Sequence, residues 1–185
     1  GNNGDDTLNG GNNNDILYGG AGDDTLDGNA DIDTMYGGDG NDTYVVNHTS
    51  DVVTESSSTG GTDLINSYVS YTASNYVENL TLKGTGIINA TGNNLDNILT
   101  GNNRNNTLTG NGGNDTLNGE SGGDILYGNN GEDTLNGGNG TDNLYGNNDD
   151  DILNGGNNND NLYGGAGNDT LNGGNDLDTM VGGDG

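Results

Sequence analysis

Glycine recurs every nine residues along most of this chain, and that period governs what the rest can become. Gly1, Gly10, Gly19, Gly28 and Gly37 carry one run; Gly92, Gly101, Gly110, Gly119, Gly128, Gly137, Gly146, Gly155, Gly164, Gly173 and Gly182 carry a second. Taking each as position one gives sixteen units, the last cut short at Gly185. In the fifteen complete units position eight is always large and apolar: Leu in twelve, Met35, Met180 and Tyr44 in the others. Position six is Asp in thirteen: Asp6, Asp15, Asp24, Asp33, Asp42, Asp115, Asp124, Asp133, Asp142, Asp151, Asp160, Asp169 and Asp178. Position four is Gly in nine of sixteen units and Asn or Asp in five (Asn13, Asp31, Asp149, Asn158, Asp176). These residue types tolerate positive φ, so the pattern predicts a left-handed bend there. A short fixed period means stacked copies of one small unit, each leaning on its neighbours.

Each unit reads as a six-residue turn followed by a three-residue strand. Strand side chains alternate faces, so with position eight inward, positions seven and nine point out. Hydrophobic residues make up only 26% of the chain, which excludes a broad core. Acidic residues number 29 against two basic ones, Lys83 and Arg104, for a formal charge of −27. In an aperiodic chain that balance means disorder. Here the acids sit at fixed positions, and a chain that repels itself so strongly needs a cation to become compact. Nucleic acid and anionic membrane surfaces are poor partners on the same ground. Cys is absent, ruling out disulfides and thiolate metal sites. No apolar stretch approaches a signal peptide or a membrane span, so membrane insertion is not expected. The pattern is already running at Gly1, so a targeting signal is expected elsewhere in the parent protein.

The units read G-G-x-G-x-D-x-L-x, as in Gly19-Gly20-Ala21-Gly22-Asp23-Asp24-Thr25-Leu26-Asp27. This resembles the RTX nonapeptide repeat of haemolysin-type toxins, secreted proteases and lipases, and giant adhesins. The resemblance covers about three-quarters of the chain. It implies an all-β fold, a right-handed parallel β-roll (β-solenoid) with two units per coil, in which alternate units stack into two parallel sheets around a thin Leu ladder. It also implies multiple calcium ions, held at the thirteen position-six aspartates.

Elementary chemistry agrees with that ion. One Leu per nine residues buries too little apolar surface to offset the entropy of ordering the unit. Stacking also brings Asp carboxylates of alternate units together, which is repulsive without a cation. Calcium takes roughly six to eight hard oxygens and accepts the backbone carbonyls of a Gly-rich turn, whereas magnesium demands tighter octahedral geometry and zinc prefers His or Cys. Asp is also a turn former, but turn formation alone does not select Asp over Asn thirteen times at one position.

Two units depart together. Gly92–Thr100 has Leu95 at position four and Asn97 at six; Gly101–Thr109 has Arg104 and Asn106. Both lose backbone freedom and charge, so the turns of 92–109 are expected to hold calcium weakly or not at all. The domain reading is a β-roll block over 1–45, an insert over 46–91 that continues the solenoid with larger coils, and a second block over 92–185. Strand-like runs in the insert are Asp51–Thr54, Leu64–Val69 and Tyr76–Leu82. The insert is similar to segments found between RTX blocks, which carry D-V-V-T-E, G-T-D and V-E-N-L-T-L; here these are Asp51–Glu55, Gly61–Asp63 and Val77–Leu82. Asp63 either closes a calcium site at the block edge or is a surface loop residue.

A longer period overlies the short one. Residues 1–40 aligned on 146–185 match at 31 of 40 positions, an offset of 145, which suggests a parent with many tandem copies. Position nine alternates as well: Tyr18 and Tyr36 alternate with Asn9 and Asp27, and Tyr127, Tyr145 and Tyr163 alternate with Asn118, Asn136, Asn154 and Asn172. One outer face should therefore carry a Tyr ladder and the other an Asn ladder. Cross-strand stacking accounts for such rows; packing against copies of itself or neighbouring repeats, or a glycan on the rings, are the functional alternatives. The Thr-x-Asn rows, as in Thr116-Leu117-Asn118, resemble ice-binding solenoid faces, but Ile152 interrupts them.

Catalysis finds little support. His48, the only histidine, has no spacing motif around it, Ser56-Ser57-Ser58 is a polar loop with no base in register, and Asn79-Leu80-Thr81 is a weak glycosylation signal. The expected function is a non-enzymatic structural module of a secreted repeat protein. It would serve as a spacer of an adhesin, surface layer or extracellular filament at the cell surface, leaving the cell through a type I channel and folding on calcium outside. The rival readings are the C-terminal secretion domain of an RTX enzyme or toxin, and a glycan- or ice-binding face.

Overall fold

The computed structural model describes residues 1–56 and 60–185; Ser57 and Ser58 of the serine loop lie outside them. Among the described residues the chain is all β, without a helix, and therefore without one long and apolar enough to cross a membrane. Strands β1 (Thr7–Gly11), β3 (Thr25–Asn29), β5 (Thr43–Val46), β7 (Leu64–Ser67), β9 (Asn79–Leu82), β11 (Ile98–Thr100), β13 (Thr116–Asn118), β15 (Thr134–Asn139), β17 (Ile152–Asn157) and β19 (Thr170–Gly174) form one ten-stranded sheet in that order. On the other side β2 (Ile16–Ala21), β4 (Thr34–Asp39) and β6 (Val52–Thr54) form a three-stranded sheet. A seven-stranded sheet continues from β8 (Tyr71–Thr72) through β10 (Ala90–Thr91), β12 (Thr107–Gly112), β14 (Ile125–Asn130), β16 (Asn143–Asn148) and β18 (Asn161–Ala166) to β20 (Thr179–Asp184). Every pair is parallel and joins alternate strands, as in Leu117↔Leu135 and Leu144↔Leu162. The fold is a parallel β-solenoid with one strand of the long sheet in each of its ten coils.

Position eight forms the core. Leu26, Met35, Tyr44, Leu99, Leu108, Leu117, Leu126, Leu135, Leu144, Leu153 and Leu162 are all fully buried between the two sheets. The neighbouring position seven faces out, and Ile16, Ile98 and Ile152 are exposed there. Most strands of the nonapeptide blocks run longer than three residues. In β14, β16 and β18 they continue from position seven into position three of the next unit, and Asn129 pairs with Asn147 within the ladder. The bend expected at position four is present, with positive φ at Asn13, Asp31, Asp149, Asn158 and Asp176. A second one, not anticipated, lies at position two, where Asn129 and Asn147 both have φ of 85°.

The insert keeps the ladder in phase by compensation. Tyr44 stacks on Ile65 and Ile65 on Leu80, so one coil is longer than eighteen residues and the next is shorter, not larger throughout. The second side of the solenoid breaks between β6 and β8. There side chains replace the backbone ladder: the Tyr71 hydroxyl donates to the Asp51 carbonyl at 2.9 Å and the Ser74 hydroxyl to the Val53 carbonyl at 2.7 Å.

Candidate metal centres

The turns stack as strictly as the strands, and position six organises them. From Asp6 to Asp160, the backbone N–H of each position-six residue donates to Oδ1 of the aspartate one coil further on. One column runs Asp6 to Asp24 to Asp42 to Asp63, at 2.7–2.8 Å. It resumes as Asn97 to Asp115 to Asp133 to Asp151 to Asp169, at 2.7–3.0 Å. The opposite column runs Asp15 to Asp33 to Asp51, at 2.8–3.1 Å, and Asn106 to Asp124 to Asp142 to Asp160 to Asp178, at 2.7–3.0 Å. Asp24, Asp33, Asp42, Asp115, Asp124, Asp133, Asp142, Asp151 and Asp160 are buried, while Asp6, Asp15, Asp169 and Asp178, in the outermost coils, are half-buried.

One carboxylate oxygen is thus committed to the backbone, and the other is not. Oδ2 of Asp15, Asp24, Asp33, Asp42, Asp115, Asp124, Asp133, Asp142, Asp151, Asp160 and Asp169 is buried with no hydrogen-bond partner. Buried polar groups are ordinarily paired, and a buried, unpaired charge is costly. The chain's two basic residues cannot neutralise eleven such oxygens. Burial pushes the carboxyls of Asp115, Asp124 and Asp151 up to about 7 and those of Asp133 and Asp142 up to about 6. Neighbouring carboxylates add to the rise, as Asp142 does for Asp124.

The position-one glycines show what these oxygens face. A Cβ on Gly119 would lie 2.6 Å from Asp124 Oδ2 and 2.6 Å from the Gly137 carbonyl oxygen. On Gly137 it would meet Asp142 Oδ2 at 2.5 Å and the Gly155 carbonyl at 2.6 Å. Only the missing side chain leaves room for a carboxylate oxygen and the next coil's carbonyl to converge. An all-oxygen donor set with orphaned negative charge and exposed carbonyls fits a hard cation of calcium's kind.

The two exceptional turns solve the same problem differently. Asn97 Nδ2 donates to the carbonyls of Val77 and Glu78 at 3.2 and 3.1 Å, and Asn106 Nδ2 donates to the Ile88 carbonyl at 2.6 Å. The amide supplies its own donors to the carbonyls. Neither Leu95 nor Arg104 takes positive φ. Instead Asn93 and Asn102 close these turns, their Oδ1 atoms accepting from the backbone N–H of Leu95 and Arg104 at 2.8 and 2.9 Å.

Within the insert, Asp63 is not a surface residue: it is 1% exposed and receives the Asp42 N–H. Its own N–H donates to Glu78 Oε2 at 2.8 Å. Asp51, Glu55 and Glu78 were not anticipated as members of the turn columns. Asp51 lies nine residues after Asp42, so continuing the glycine-free phase by one unit would have found it. Both its oxygens are satisfied, Oδ2 accepting from Asn47 and His48 N–H. The His48 ring accepts the Ser50 N–H through Nδ1.

The outer faces differ as the alternation at position nine requires. Tyr18 stacks on Tyr36 with ring centroids 4.8 Å apart, and Tyr127, Tyr145 and Tyr163 form a continuous stack at 5.0 Å spacing. On the ten-stranded face Asn154 Nδ2 donates to Asn136, and Asn136 to Asn118, at 3.0 and 2.9 Å.

No curated protein matches the chain. A family profile does, that of the RTX calcium-binding nonapeptide repeat (4 copies), over residues 1–35, 18–46, 91–126, 119–153, 127–162 and 154–185. These matches cover well over half of the chain and coincide with the stretches whose turns carry the orphaned aspartate oxygens. The chain belongs to the RTX calcium-binding nonapeptide repeat family.

Proposed function

We propose that this β-roll is a structural module of a secreted protein, a stiff spacer in an adhesin, surface layer or extracellular filament, that folds when it meets calcium outside the cell. The observation that carries this reading is the row of buried, unpartnered Asp Oδ2 atoms. The ligands are the thirteen position-six aspartates, Asp6 through Asp42 and Asp115 through Asp178, each acting through the oxygen the backbone ladder does not use. Bound there, calcium would supply the positive charge these turns lack and a partner for their orphaned oxygens.

The remaining work is done by the chain. Its charge of −27 keeps it expanded while cations are scarce. Once the turns are neutralised, the Leu ladder and the parallel hydrogen bonds suffice to hold the coils. The turns of 92–109 stay free of calcium, because the Asn97 and Asn106 amides already satisfy the carbonyls around them. No catalytic role is proposed for the stacked turns.

Circular dichroism during a calcium titration of the chelated protein tests the reading. A cooperative change from coil to β-structure is expected. A β spectrum indifferent to chelator would overturn it.

A further inference from the structure

The coil that leaves the first block differs from the regular coils in a concerted way. In a regular column a glycine stands eighteen residues beyond each position-one glycine, as Gly37 does beyond Gly19. Eighteen residues beyond Gly37 stands Glu55. In the regular units position eight is aliphatic; in this one it is Tyr44, fully buried, and its hydroxyl donates to Glu55 Oε1. The cradle beside Gly37 is accordingly lined by Asp42 Oδ2, the Tyr44 hydroxyl and Glu55 Oε1, where cradles such as those of Gly119, Gly137, Gly146, Gly155 and Gly164 hold one aspartate oxygen and a backbone carbonyl.

Asp63 completes the set from the next coil. Asp42, Glu55 and Asp63 each bring a carboxylate oxygen within 4.8 Å of the others. They are only 1%, 6% and 1% exposed. Within the cluster, Asp42 Oδ2 and Glu55 Oε2 are buried without any hydrogen-bond partner. Three mutually repelling carboxylates, sealed from water with two unpaired oxygens and no base among them, make a charge deficit larger than that of any regular turn.

The geometry points to a distinctive cation site at the block edge, where Glu55 and Asp63 join the position-six Asp42, a three-carboxylate calcium site that fills before the sites of the regular turns. Affinity for calcium rises with the number of charged ligands and with the rigidity that holds them. The regular turns offer aspartates and carbonyls; this one adds a glutamate and positions it with the Tyr44 hydroxyl. Its place also suits an early role, since it ties the last coil of the first block to the lengthened coil that follows. That the turns fill later rests on the function proposed above; the cluster itself does not.

Tyr44 provides the means of testing it. The chelated protein is titrated with terbium(III) under tyrosine excitation, and bound ions are counted by equilibrium dialysis. In the native chain tyrosine-sensitised emission should reach most of its maximum within the first equivalent. Glu55→Gln should weaken that phase about tenfold or more and lower the ion count by about one per chain. Tyr44→Phe keeps the buried ring and should retain the count while losing most of the first-phase emission, whether or not Glu55→Gln folds well. Asp160→Asn should lower the later count and leave the first phase intact. A Glu55→Gln titration superimposable on the native one, or undiminished first-phase emission from Tyr44→Phe, would overturn the site. If Asp160→Asn changes nothing while Glu55→Gln removes the first phase, the regular-turn reading fails and this one stands.

Discussion

The backbone N–H of Asp133 donates to Oδ1 of Asp151, 2.8 Å away and one coil further on, while Oδ2 of Asp151 is buried and unpaired. The two oxygens of one carboxylate therefore have separable tasks. Asp151→Asn keeps an acceptor for the ladder and removes the charge; Asp151→Ala removes both. At saturating calcium, urea unfolding should show Asp151→Ala less stable than Asp151→Asn by about 1–3 kcal/mol, the cost of leaving a buried N–H unsatisfied. Both variants should bind fewer calcium ions than the native chain by equilibrium dialysis. Equal stability of the two would contradict the division.

Asn106 tests the same logic in reverse. Its amide donates to the Ile88 carbonyl at 2.6 Å and to Asn102 Oδ1 at 3.2 Å. Asn106→Asp turns that donor into an acceptor facing acceptors. Unfolding at saturating calcium should show a loss of about 1–3 kcal/mol, with no additional ion bound. A stable variant that gains an ion would mean that Arg104 and the altered bend do not prevent a calcium turn.

Much of this architecture is legible in the residues, for a physical reason. Gly119 is readable because a Cβ there would strike Asp124 Oδ2, and Leu126 because its side chain has nowhere to go but between the sheets. Such demands act on single positions and repeat with the coil, so they survive as a nine-residue pattern. The backbone's use of Oδ1, leaving Oδ2 spare, is invisible to sequence, because the carboxylate is one letter whichever oxygen does which task. The places of Asp51 and Glu55 in the turn columns are illegible for another reason. Asp51 lies in a unit that begins with Val46, and Glu55 itself stands at position one of the next, so neither unit opens with the glycine that marks the period, although Asp51 keeps the phase. Glu78 sits in a shortened coil, where counting by eighteen fails and only the pairing of Ile65 with Leu80 places it.

Proton binding should substitute for metal in a measurable way. Burial raises the carboxyls of Asp63, Asp115, Asp124 and Asp151 to about 7, and those of Asp133 and Asp142 to about 6, from 3.8. The calcium-free fold thus binds protons more tightly than the unfolded chain. Its stability is greatest below the ordinary carboxylate range and is lost as pH rises through 6 to 7. In chelator, β-structure measured by circular dichroism should increase as pH is lowered from about 8 to about 5. Calcium affinity measured by calorimetry should fall over the same interval, because protons and metal compete for the same oxygens. Chelated protein that gains nothing on acidification would contradict the burial of unpaired charge.

The repeat architecture also predicts where damage stops. Leu153 is fully buried between Leu135 and Leu171 on the ladder, and its neighbour Ile152 is 45% exposed on the outer face. Leu153→Ala should cost about 2–5 kcal/mol, as for other buried leucines that leave a cavity, whereas Ile152→Thr should change stability by no more than about 0.5 kcal/mol. Each coil contacts only its neighbours, so stability is a sum of local terms and nearest-neighbour interfaces. Hydrogen exchange in calcium should therefore show Leu153→Ala accelerating amides of β15, β17 and β19 and leaving those of β3 and β5 protected. Uniform acceleration over all coils would mean that the solenoid unfolds as one unit, and that the ladder carries strain along its whole length.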